Sequence, residues 1–153
     1  MKRRFLSIGS NIEPEKNIPA CLDILKRKFL VIKISSVYET DPVGAAGNQK
    51  FWNLAVEIET GLGRKGLAFE LRRIEETLGR ERDPSNQCAP RPIDLDILPA
   101  LGFNKQPFVT IPLAEIAPHE QDPASQKTFE EIAKALEPSA RSYRKVIAGA
   151  HSF

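Results

Sequence analysis

The stretch Ala89-Pro90-Arg91-Pro92-Ile93-Asp94-Leu95-Asp96-Ile97-Leu98 sets two acids two residues apart inside an apolar run, with an arginine three residues upstream of the first. The alternation predicts a strand over Ile93 to Leu98. Side chains on a strand point to opposite faces in turn, so Asp94 and Asp96 share one face and Ile93, Leu95 and Ile97 share the other. The apolar face can feed a core. The acidic face holds two carboxylates side by side, an arrangement whose repulsion is costly unless a cation is near. Hard oxygen ligands on a rigid strand suit Mg²⁺, which takes one or two carboxylates and completes its shell with water and substrate phosphates. The other reading is the solvated face of an edge strand, which accounts for most D-x-D strings.

Working outward, Phe5 to Ile8 reads as a first strand closed by Gly9-Ser10-Asn11. A helix follows, with Ile18, Leu22, Leu25 and Phe29 at helical spacing, Asn17 as the expected N-cap and Pro19 in the first turn. Val31 to Tyr38, rich in β-branched residues, reads as one strand. Phe51 to Thr60 reads as another, with Trp52, Leu54, Val56 and Ile58 on one face and Phe51, Asn53, Ala55 and Glu57 on the other. Leu67, Leu71, Ile74 and Leu78 mark a second helix stopped by Gly79 as its C′ residue. Phe108 to Ile111 reads as a short strand, Phe129 to Leu136 as a helix ended by Pro138, and Tyr143 to Ile147 as a last strand. The order is that of an α+β fold: a ferredoxin-like βαββαβ antiparallel sheet with flanking helices and a small C-terminal extension. Such a sheet is expected to leave the face opposite its helices open to loops and ligands. The long connections, Thr40 to Lys50 and Arg80 to Pro92, are where function is expected.

Length and composition agree with a single domain over residues 1–153, large enough to bury a core without staples. A formal charge of +2, from 22 basic and 20 acidic residues that are interspersed, argues against a general nucleic-acid binder. Two cysteines, Cys21 and Cys88, make no disulfide framework and fit free thiols in a reducing cytoplasm. Met1-Lys2-Arg3-Arg4 begins like a signal segment, but Phe5 to Ile8 is too short for its apolar part. No apolar run reaches membrane-spanning length.

Arg80, Arg82 and Arg91 bracket the loop that leads to the two aspartates, and guanidinium forks beside a Mg²⁺ site describe a polyphosphate clamp. Arginines that follow a helix are also common as solvated charges. Phe51 and Asn53 share a strand face, where an aromatic plate beside an amide can stack on a flat heterocycle and hydrogen-bond its edge; Phe51 is equally readable as core. Tyr38 to Gly44 has Pro and Gly to hold backbone N–H and C=O groups in a set geometry, and reads equally as a plain turn. His119 and His151 have no partners at ligand spacing and read as surface residues, and Cys88 as a bystander to Arg91. No Walker, Rossmann or nucleophile signature is present.

Taken in order, these segments resemble the 6-hydroxymethyl-7,8-dihydropterin pyrophosphokinases of folate biosynthesis. The matches are Gly9-Ser10-Asn11, Tyr38-x-Thr40-x-Pro42-x-Gly44, Gln49 with Phe51-x-Asn53, Arg73-Ile74-Glu75 and Gly79-Arg80-x-Arg82. They continue with Pro90-Arg91-x-Ile93-Asp94-Leu95-Asp96-Ile97-Leu98 and Pro112-Leu113-x-Glu115-Ile116-Ala117-Pro118. The resemblance spans roughly residues 5 to 137. It implies an enzyme, a diphosphokinase that moves pyrophosphate from ATP, its co-substrate, to the pterin and releases AMP. Two Mg²⁺ ions would be held by Asp94 and Asp96. The pterin would meet Asn53, the rings of Phe51 and Phe108, and backbone groups at Thr40 and Val43. Arg80, Arg82 and Arg91 would act on the phosphates, with Glu75, Arg82, Arg91 and Ile97 on the nucleotide side. Partners would be these small molecules alone, with no nucleic acid or membrane, and the protein a monomer.

The chain also departs from that family's pattern. Only Pro99 to Ile111 fills a segment that is longer in other members, the Val-Pro-His-Pro-like element is missing, and Gln106 stands where an arginine is expected. Gln87-Cys88-Ala89 replaces an aromatic-glycine step. Removing one cation from a phosphate clamp costs on the order of 100- to 1000-fold in rate. The alternative function is therefore a non-enzymatic, pterin-binding or regulatory relative that has lost full ATP binding.

Overall fold

A computed structural model describes residues 1–40, 50–79, 92–100, 102–137 and 144–147. Its elements are β1 (Lys2–Ser10), α1 (Pro14–Lys28), β2 (Leu30–Ile34), β3 (Val37–Thr40), β4 (Phe51–Thr60), α2 (Arg64–Thr77), β5 (Asp94–Leu98), α3 (Pro107–Ile116), α4 (Phe129–Leu136) and β6 (Arg144–Ile147). The strands form one antiparallel sheet in the order β5-β1-β4-β3-β6, with β2 also pairing β4. The α+β class and the antiparallel sheet are as the sequence implies.

The alternation in β1, β4 and β5 sorts side chains onto two faces. Leu6, Ile8, Leu54, Val56, Ile58, Leu95 and Ile97 turn toward α1 and α2 and close a core with Leu22, Leu25, Leu67 and Ile74. Gly79 follows the C-cap Leu78 with φ +93°, a left-handed backbone that glycine adopts without a Cβ penalty.

The opposite face differs from expectation. It is partly covered by α3 and α4, which build a second core from Phe5, Ala55, Leu98, Phe103, Val109, Leu113, Phe129 and Ile132. Phe129 makes edge-to-face contacts with Phe5 and Phe103, each at 5.9 Å between ring centroids. This explains why β4 buries six consecutive residues, Asn53 to Ile58: it has a packed layer on both sides. Phe108 to Ile111, read as strand from its β-branched residues, lies in α3. Pro107 opens that helix at a first-turn position where the missing N–H is harmless, and tertiary packing overrides the local preference. The sequence T-F-E-E at Thr128 to Glu131 carries a capping box that starts α4 and that a pattern search could have found.

Two further boundaries move. The expected single strand Val31 to Tyr38 breaks at Ser35-Ser36 into β2 and β3, where the side chain takes over part of the ladder: Ala55 N donates to Ser35 Oγ at 2.8 Å and Ser35 N to Ala55 O at 2.9 Å. Helix α1 starts at Pro14, earlier than an Asn17 cap predicts. Asn17 lies inside it and donates from Nδ2 to Ile12 O at 2.6 Å, while Pro19 falls in the second turn.

Candidate active site

The register of three strand pairs sets Asp94, Gly9, Asn53 and Tyr38 in one line across β5, β1, β4 and β3. The next line is Asp96, Ser7 and Ala55. Directly opposed residues project to the same face, so both acids look onto the face that carries Asn53. With strands about 4.8 Å apart, Asp94 and Asn53 stand about 10 Å from one another, a gap floored by a glycine. Thr40 opposes Phe51 at the end of the same face. Five of the expected site residues, Thr40, Phe51, Asn53, Asp94 and Asp96, thus meet on one surface.

Asn53 is the most constrained of them. It is only 5% exposed, and its Nδ2 is buried without a hydrogen-bond partner among the described residues. Burying an amide donor unsatisfied costs about 1–3 kcal/mol, which a ligand acceptor at this position would relieve. Gly9 makes the side-chain position possible, since a Cβ there would sit 2.9 Å from Asn53 Oδ1. The family motif named Gly9, but the sequence alone offered no role for it.

On the other edge of β5 lies a cleft of about 290 Å³, lined by Arg64, Arg72, Glu75, Asp96 and Ile97 among others. Leu95 N donates across this edge to Glu75 Oε2 at 2.8 Å. Both polar groups of a strand residue point to one side, and the sides alternate, so the N–H and C=O of Ile97 also face away from β1 and toward the cleft. Glu75, buried at 2% exposure, therefore anchors β5 to α2 as well as lining the cleft. Asp96 borders both compartments. Arg72 was missed from the sequence; the signal was its place with Arg64, Ala68 and Glu75 on one stripe of α2.

Behind Glu75, the Cys21 thiol is pushed up to about 12 by burial and, secondarily, by the Glu75 charge. Below about pH 9 both folded and unfolded chains hold this proton. Between about pH 9 and 12 the unfolded chain releases it while the folded chain keeps it, so stability falls as pH rises. Unfolding free energies from urea titrations at pH 9, 10 and 11 should decline by up to about 1.4 kcal/mol per pH unit from this group, and Cys21→Ala should flatten that component.

Phe108 lies in the first turn of α3, partly buried against the second core. Val43, Arg80, Arg82 and Arg91 lie outside the described residues, as do Cys88 and His151; His119 is exposed, as a surface histidine should be. Among the described residues no cluster of three or more His, Cys, Asp or Glu side chains is placed to hold a metal ion. The two strand carboxylates nevertheless fit Mg²⁺, because that ion needs few protein ligands when phosphates and water supply the rest. No helix among the described residues is long and apolar enough to cross a membrane.

Fold and geometry define an α+β protein with two compartments astride one edge strand, a buried amide on one side and a cleft lined by Arg64, Arg72, Glu75 and Asp96 on the other. A family model described as 7,8-dihydro-6-hydroxymethylpterin-pyrophosphokinase (HPPK) matches residues 5–118. Among curated relatives, the 2-amino-4-hydroxy-6-hydroxymethyldihydropteridine pyrophosphokinase of Bacillus subtilis (strain 168) is 35% identical over 145 residues, covering 83% of this chain and 86% of that protein. The Pseudomonas aeruginosa protein of the same name is 33% identical over 135 residues, covering 77% and 82%. A crystal structure of HPPK-DHPS in complex with substrates superposes with a TM-score of 0.75 at 11% identity, over 95% of this chain. This chain spans about half of that longer polypeptide, 48%. The chain belongs to the HPPK family.

Proposed function

We propose that this protein transfers pyrophosphate from ATP to 6-hydroxymethyl-7,8-dihydropterin, releasing AMP, as a single-domain, monomeric enzyme of the cytoplasm. The observation that carries the reading is the line Asp94–Gly9–Asn53, which joins a carboxylate pair to a buried, unpartnered amide donor. The amide and Phe51 take the pterin, with Phe108 as the second ring and Thr40 and Val43 supplying backbone contacts at its edge. This orients the hydroxymethyl oxygen toward Asp94 and Asp96. The cleft beyond β5 takes the nucleotide, with Ile97 offering a backbone N–H and C=O to the base, and Arg80, Arg82 and Arg91 gripping phosphate oxygens. Two Mg²⁺ ions, held by Asp94 and Asp96, would neutralise phosphate charge and align ATP. The hydroxymethyl oxygen bonds to the β-phosphorus and releases its proton to solvent, the bond from that phosphorus to the α–β bridging oxygen breaks, and AMP departs with that oxygen. Positioning and charge stabilisation suffice, so the lack of a nucleophile motif is consistent with the reaction.

The test is to incubate the protein with ATP, Mg²⁺ and the reduced pterin and to follow AMP and the pterin diphosphate. Their joint absence would sink the proposal; calorimetry showing pterin binding without Mg·ATP binding would then favour the non-catalytic relative. Arg64 and Arg72 add positive charge to the cleft in a chain that has Gln106 where an arginine is expected. Arg72→Ala should raise the KM for ATP about tenfold, the effect of one weakened charged contact, and leave the KM for the pterin unchanged. Steady-state kinetics with each substrate varied in turn would check this.

A further inference from the structure

The last turn of α3 carries Glu115, whose carboxylate receives two hydrogen bonds from the bend between β2 and β3 and one from β3 itself. Ser36 N donates to Oε2 at 2.8 Å, Ser36 Oγ to the same oxygen at 3.0 Å, and the Tyr38 hydroxyl to Oε1 at 2.5 Å. Bonds to an ionised acceptor are about twice as strong as neutral ones, and three of them converge here on one side chain of a ten-residue helix. Tyr38 is the register partner of Asn53 and the fourth member of the line that begins at Asp94. Its ring is buried and has the Lys145 Nζ of β6 at 5.9 Å from its centroid. Glu115 thus grips the strand residue directly beside the buried amide.

At the other end of the same helix stands Phe108. Residues seven apart complete nearly two whole turns, so Phe108 and Glu115 lie on one stripe about 10 Å apart along the axis. Any roll or slide of α3 that breaks the Glu115 bonds must also displace Phe108. Lys33 Nζ of β2 also donates to Ile116 O at the end of α3, at a longer 3.4 Å.

We propose that Glu115 is a positioning residue for the pterin: it locks α3, and with it Phe108, in register with the Tyr38–Asn53 pair. The assignment rests on the reading of Asn53 and Phe108 as pterin contacts. It makes the carboxylate a determinant of acceptor binding rather than of nucleotide binding, because its partners all lie on the Asn53 side of the sheet and none lies in the cleft beyond β5.

The test pairs Glu115→Gln with Tyr38→Phe and the double variant, measuring KM for the pterin, KM for ATP, kcat and thermal midpoint. Glu115→Gln should raise the KM for the pterin about tenfold and Tyr38→Phe about threefold to fivefold, with KM for ATP within twofold of wild type. The double variant should be little worse than Glu115→Gln alone, because both remove the same bond. A lower thermal midpoint with an unchanged pterin KM in both single variants would show a purely structural role and overturn the proposal. So would equal losses for pterin and ATP. A wild-type protein that produces no AMP would instead count against the proposed reaction itself, which separates the two failures.

Discussion

Asp94→Ala and Asp96→Ala should each lower kcat by at least about 1000-fold while leaving the fold intact. The two acids lie on the face of β5 shared with Asn53, one half-buried and one exposed, and neither belongs to either core. The alternate residues Leu95 and Ile97, which feed the core, are kept by both substitutions. A pair of carboxylates about 7 Å apart along a strand repel, and that repulsion makes the pair a better cation site than either acid alone. Removing one leaves phosphate charge uncompensated where it develops during transfer, a loss of about 4 kcal/mol or more for a group of this kind. The measurement is AMP release across a Mg²⁺ titration, with far-ultraviolet circular dichroism as a fold control. Asn at either position should recover little of the rate, since an amide oxygen cannot offset the metal charge. Wild-type turnover in either alanine variant would remove the carboxylates from the reaction.

Gly9→Ala should raise the KM for the pterin by about 100-fold. The new Cβ would stand 2.9 Å from Asn53 Oδ1, closer than real Cβ contacts, with Asn53 Cγ and Trp52 O both at 3.9 Å. The backbone of β1 is held on both sides by its pairings with β4 and β5, so the strand cannot yield and the amide must rotate. Rotation takes both polar atoms of Asn53 away from the position that faces a ligand. Two misplaced hydrogen bonds in a buried site amount to about 2.7 kcal/mol, which converts to the stated factor. Gly61 provides the control, because a Cβ there would meet nothing within 4 Å; Gly61→Ala should leave both KM values and the thermal midpoint near wild type. An unchanged pterin KM in Gly9→Ala would show that Asn53 is not a substrate contact.

The elements with strict periodicity are legible in the sequence. Strand β4, helix α2 with its Gly79 stop, helix α4 and the D-x-D strand follow from spacing alone, because burial of one face imposes a period that local chemistry records. Three of the misreadings share one cause. Phe108 to Ile111 has strand-like residues but lies in α3, Val31 to Tyr38 breaks where Ser35 bonds β4, and the face expected to be open is roofed by α3 and α4. In each case a partner distant in sequence decides, and no local window contains it.

The site divides in the same way. By itself the sequence determined that Asp94 and Asp96 share a face, since a strand has no other way to place residues two apart, and its ordered motifs pointed to the family. Only the tertiary structure decided what stands beside them. Register across β5, β1 and β4 brought Asn53 into line with Asp94 over an obligatory glycine, and the packing of α2 on the free edge of β5 formed the Arg64–Arg72–Glu75 cleft. Those neighbours are set by hydrogen-bond register and core packing between segments about 20 to 85 residues apart, and such long-range choices leave no periodic trace in the chain.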